Sequence, residues 1–120
     1  MKIGLRIILY TTHNSNNCKI IEEEVYMEII LKIILCHLVG DYVLQCDFIA
    51  TTKGKNWYHL LVHCFLYIIP FYIVFGYNWK LLIILITHII IDPLKARWNK
   101  INYVTDQILH YLIGAIYLVG

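Results

Sequence analysis

Four apolar runs joined by short polar connections constrain this chain more than any other feature. They cover residues 29–50, 57–75, 79–91 and 101–119. Between them lie Thr51-Thr52-Lys53-Gly54-Lys55-Asn56, then Gly76-Tyr77-Asn78, then residues 93–100. A helix needs about 20 apolar residues to cross a bilayer. In lipid the backbone must satisfy its own hydrogen bonds, so runs of this length read as helices. Barrel strands would alternate in polarity, and residues 81–86 do not. Composition agrees: 60% of the residues are hydrophobic and 15% charged, where soluble domains have about 45–50% and about 25%. A chain of 120 residues is too small to hide that excess in a core of its own. The expected fold class is therefore all-α, a polytopic bundle of about four transmembrane helices in the cell's inner membrane, with the bilayer as its first partner.

The third run is short for a span. Either Asp92-Pro93 ends it, or the helix continues, kinked, to Trp98. Trp57, Trp79 and Trp98, with Tyr58, Tyr77 and Tyr103, fall at run ends, where amphipathic rings meet the headgroups. Lys53, Lys55, Lys95, Arg97 and Lys100 mark the first and third connections, against Lys32 and Lys80 on the other side. This excess puts those two connections in the cytoplasm. A net charge of +2 gives no reason to expect nucleic acid. Cys18, Cys36, Cys46 and Cys64 form no C-x-x-C pair and read as packing residues.

Residues 1–26 differ from the rest: a short apolar piece at 3–10, a polar stretch holding His13, then Glu22-Glu23-Glu24. Glu23-Glu24-Val25 can be encoded by codons containing a ribosome-binding sequence, with Met27 suitably spaced. Residues 1–26 are thus expected to be either an untranslated leader or an N-terminal arm, ahead of a single transmembrane domain at 27–120.

The most informative residues are polar ones inside the apolar runs. The first run carries His37, Asp41 and Gln45, the second His59 and His63, the third His88 and Asp92, the fourth Asp106 and His110. In each run the pair stands four apart, so both side chains share one helix face. With the deduced topology all four pairs lie in the cytoplasmic half of the bundle. Each Asp costs about 2.5–3.5 kcal/mol at the centre of a span, so the polar faces are expected to turn inward onto one site. His37, Asp41, His88, Asp92, Asp106 and His110 form a candidate metal set, enough for a six-coordinate or two-metal centre, or for ligands with supporting partners. His63 is a further ligand or a general base. The competing reading is a metal-free His–Asp network that only ties helices together. Lys53 and Lys95 read as cations at the cytoplasmic edge, for topology or for contact with a phosphate. Lys95, one turn after Asp92, is the stronger catalytic candidate. His59 sits near the interface, where it reads as solvated.

The ordered set His37-Leu-Val-Gly-Asp41-Tyr-Val-Leu-Gln45, Lys53, His63, His88-Ile-Ile-Ile-Asp92-Pro-Leu-Lys95 and Asp106-Gln107-Ile-Leu-His110 resembles the domain-of-unknown-function 3307 family, small membrane proteins of bacteria and their phages. The likeness runs from Met27 to about residue 118, which supports the leader reading. It implies a fold type and a motif set, not a reaction. The His and Asp pattern is also similar, by analogy alone, to membrane-bound metal-dependent hydrolases.

The function expected from these residues is hydrolysis or headgroup transfer on a lipid-like or phosphate-bearing substrate, assisted by zinc, manganese or magnesium. Two alternatives stay open. A small transporter or proton pathway would need polar residues in the outer half, which looks apolar. A non-enzymatic envelope protein would not need the His–Asp pairs. The oligomeric state is not readable from the residues.

Overall fold

The computed structural model describes residues 15–119, with side chains from Lys19 onward. The expectations for residues 1–14, His13 among them, lie outside that range. Every regular element among the described residues is helical. Helix α1 is Ser15–Leu38, followed by a π-turn at Val39–Val43 and the short α2, Asp47–Thr52. Then come α3, Trp57–Phe75, α4, Trp79–Ala96, and α5, Tyr103–Gly114, closed by a 3-10 turn at Ala115–Leu118.

Three asparagines start the long helices that follow the connections. Asn56 accepts a hydrogen bond from the Tyr58 N–H, Asn78 from Lys80 and Leu81, and Asn102 from Thr105, each satisfying donors that a helix leaves free at its start. Gly76, at φ 73°, ends α3 in a conformation that suits glycine. Pro93 does not end α4. The helix runs on through it to Ala96, close to the longer of the two expectations. The first run, read as one span over 29–50, is instead divided into the end of α1, the π-turn and α2.

The interior has two halves. At one end Ile33, Cys36, Tyr67, Phe71, Leu81, Ile84 and Tyr117 form an apolar core. At the other end, where the first and third connections lie, eight polar residues are buried among a few apolar ones: His37, Asp41, Lys53, His63, His88, Asp92, Asp106 and His110. The outside is the reverse. Leu31, Leu35, Phe65, Ile69, Ile73, Ile86, Ile90, Val104, Ile108 and Leu112 are all exposed. Among the described residues α3 is the one helix long and apolar enough to cross a membrane by length and composition.

Two glycines allow the close approaches that shape the polar end. A Cβ on Gly40 would stand 2.6 Å from the Tyr67 carbonyl oxygen, so only glycine lets the π-turn lie against α3. A Cβ on Gly54 would run into the Ala96 carbonyl, so the first connection rests directly on the end of α4.

Candidate metal centre

The π-turn supplies Asp41, α3 supplies His63, and α4 supplies His88. One ligand atom from each lies within 4.8 Å of the other two, and all three residues are buried. The extra residue of a π-turn rotates the side chains after it, which is why such turns recur at functional sites. Here it aims Asp41 inward, with Oδ1 3.4 Å from His63 Nε2.

His63 Nε2 is the most crowded atom of the site. His88 Nε2 stands 3.0 Å away, Lys53 Nζ 3.3 Å, Asp41 Oδ1 3.4 Å and Asp92 Oδ2 3.7 Å. One ring nitrogen offers a single proton or a single lone pair, so it cannot serve four partners. His63 Nδ1 and Asp92 Oδ2 are buried without a hydrogen-bond partner.

The partners of the other histidines assign their tautomers. His110 Nδ1–H donates to the Asp106 backbone carbonyl at 2.6 Å. His110 Nε2 is therefore an acceptor, and the His88 Nδ1–H, 2.6 Å away, donates to it. That leaves His88 Nε2 unprotonated, with its lone pair turned toward His63 and Asp41. Tyr67 stacks on the His88 ring at a centroid distance of 3.9 Å and holds its plane.

His37 is engaged at both nitrogens. Its Nε2–H donates to Gln107 Oε1 at 2.9 Å, and its Nδ1 accepts from the Tyr67 hydroxyl at 2.9 Å. The Gln107 amide donates in turn to Asp41 Oδ2 at 3.3 Å and to Asp106 Oδ2 at 3.1 Å. Two lysines complete the charge pattern. Lys53 donates to Asp92 Oδ1 at 3.2 Å, and Lys95 to Asp106 Oδ2 at 2.9 Å. Asp92 and Asp106 are thus each paired with an ammonium, while Asp41 takes the Gln107 amide and lies beside His63 and His37.

The eight residues singled out from the sequence all lie at this end of the bundle, in two parts. Asp41, His63 and His88 form the group that could hold a metal ion, with Asp92 beside His63. His37, Asp106, His110 and Lys95 sit around it, joined to it through Gln107 and the His88–His110 bond. Three participants take parts that the sequence does not assign. Lys53, expected as a cation at the cytoplasmic edge for topology or phosphate contact, is only 7% exposed. Gln107, part of the quoted motif, joins His37 to Asp41 and Asp106. Tyr67 has no polar neighbour at helical spacing except His63, four residues earlier, which was the available signal. His59 bonds Thr52 at 2.6 Å and none of the site residues.

The sequence model of a family described as protein of unknown function (DUF3307) matches residues 29–119. No curated protein and no solved structure matches the chain.

Proposed function

The chain belongs to the DUF3307 family, and from its buried site we propose a multi-pass inner-membrane protein that uses a divalent metal for hydrolysis or headgroup transfer on a lipid-like substrate. The bilayer placement draws support from the inverted surface. Water-soluble monomers rarely expose apolar patches beyond a few hundred Å², whereas here eight polar side chains are buried at one end and Leu, Ile and Phe lie outside. Both features suit a lipid solvent.

One observation carries the metal reading: Asp41, His63 and His88 point ligand atoms at one another with no proton able to satisfy them all. Two ligands about 2.05 Å from a tetrahedral zinc stand about 3.3 Å apart. The 3.0 Å and 3.4 Å separations around His63 Nε2 suit that edge length. Two imidazoles and a carboxylate are the donor set of catalytic zinc sites that keep a further position open. The two imidazoles favour zinc over manganese and magnesium, which prefer oxygen ligands. Such an ion supplies positive charge to an oxygen of the substrate. The protein's own part is positional. His110 fixes the His88 tautomer, Gln107 fixes Asp41, and Lys53 brings a cation to the inner wall of the site.

Metal analysis of protein purified in detergent tests this. The expected result is about one zinc or manganese ion per chain, lost in Asp41→Asn and His88→Ala but kept in His59→Ala. Wild-type protein that keeps its fold and binds neither ion, even when dialysed against each, would refute the reading. One observation favours a metal-free alternative: Lys53 Nζ already brings a positive charge to within 3.3 Å of His63. In that case the histidines and carboxylates form a structural or proton-carrying network. The apolar core at the other end of the bundle weighs against a pathway across the membrane.

A further inference from the structure

We infer that the edge formed by Lys95, Tyr42 and Tyr103 is the entrance of the site and binds the phosphate of its ligand. This deepens the enzyme reading above by naming a substrate class, and it rests on the bilayer placement proposed there. The innermost groups have no route to the outside of their own. His63 is fully buried, and His88, Asp92 and Asp106 are each 1% exposed. Among the described residues, the hydrogen bonds that leave this cluster for the surface do so in one place. Gln107 Oε1 accepts from the Tyr42 hydroxyl at 3.3 Å, Tyr42 pairs with the Tyr103 hydroxyl, and Lys95 reaches in to Asp106 at 2.9 Å. Tyr42 is 45% and Tyr103 55% exposed. The edge therefore lies between the π-turn and the start of α5, open to the side of the bundle.

Its chemistry selects an oxyanion. Lys95 gives one of its three N–H donors to Asp106, and 29% of its side chain is exposed, so donors remain for a ligand. Its Nζ stands 5.0 Å from the centre of the Tyr103 ring, which holds the ammonium at the rim. Both phenols can turn their O–H toward a guest. The two carboxylates near the rim, Asp106 and Asp41, are both buried, Asp106 paired with Lys95 and Asp41 bonded by the Gln107 amide. A lysine point charge with two hydroxyls suits phosphate, whereas a planar carboxylate is better met by the fork of an arginine. Lys95 lies in the last turn of α4 and Tyr103 begins α5. In the proposed bilayer these helix ends stand at headgroup depth.

Calorimetry on the full chain in non-ionic detergent tests the inference, using dioctanoyl phosphatidic acid, dioctanoylglycerol and inorganic phosphate as probes. Phosphatidic acid is expected to bind and dioctanoylglycerol not. Lys95→Gln should weaken binding about tenfold, the value of one charge-assisted hydrogen bond. Tyr103→Phe should weaken it less, Lys95→Arg should largely restore it, and Lys55→Gln, an exposed cation on the same side, should leave it unchanged. Inorganic phosphate bound with the same Lys95 dependence identifies a soluble phosphate as ligand. Binding of phosphatidic acid alone identifies a lipid. The inference falls if dioctanoylglycerol binds equally, if no probe binds, or if Lys55→Gln weakens binding as much as Lys95→Gln. Metal content measured on the same samples separates the two ideas. Metal without phosphate binding removes the entrance and leaves the centre, and Lys95-dependent phosphate binding without metal does the opposite.

Discussion

Replacing Lys53 by methionine is expected to destabilise the bundle more than any change of a surface lysine. The Lys53 ammonium is 3.2 Å from Asp92 Oδ1, and the two side chains are 8% and 2% exposed. At an effective dielectric of about 20, their attraction is about 5 kcal/mol, much of it offset by the cost of desolvating both charges. The loss on mutation comes from the partner left behind. Asp92 Oδ2 already lacks a hydrogen bond, so Lys53→Met strands an entire buried carboxylate. Breaking a buried pair this way costs about 3–5 kcal/mol. Removing both charges costs less, since two apolar groups of similar shape leave nothing unpaired. Lys53→Met with Asp92→Leu is therefore expected to recover at least about half of the single-mutant loss. Equilibrium unfolding in mixed micelles, followed by the fluorescence of Trp57, Trp79 and Trp98, reads each step. A double variant as unstable as the sum of the two singles would refute the pairing, and so would a single variant within about 0.5 kcal/mol of wild type, the range of ordinary surface changes.

Two other outcomes follow from the geometry. Gly40→Ala places a methyl group 2.6 Å from the Tyr67 carbonyl and should cost about 1–3 kcal/mol of stability as an overpacked contact. It should also lower metal affinity by moving Asp41, and isothermal titration with zinc checks both parts together with unfolding. In the proposed topology Asn99→Cys should resist labelling of intact cells by an impermeant maleimide until the membrane is opened, since Lys95, Arg97 and Lys100 favour the cytoplasmic side for that connection.

Helical spacing was enough to select most of the site, because a four-residue step puts His37 with Asp41, His88 with Asp92 and Asp106 with His110 on single faces. The polar end of the bundle was legible for the same reason. The break in the first run was not. Periodicity assumes a regular helix, and the π-turn at Val39–Val43 changes the angular step inside an unbroken apolar pattern. Lys53 escaped because a lysine in a short polar connection is nearly always solvated. Only the approach of Gly54 to Ala96 turns that connection inward, and no local pattern encodes a contact with a residue forty-two positions away. Gln107 is one residue outside the spacing that marks Asp106 and His110, so helical pairing did not select it.

The place of Gln107 on the last helix also sets an order of assembly. Its single amide group serves His37, Asp41 and Asp106, which belong to three different parts of the chain. Without α5, the ring N–H of His37 and Asp41 Oδ2 lose the amide that bonds both and keep only each other, 4.0 Å apart. A half-made bundle is thereby held in a polar, unfinished state. The last helix thus completes the hydrogen bonding of the first, and a chain cut short before residue 103 is expected to leave that polar face unfinished.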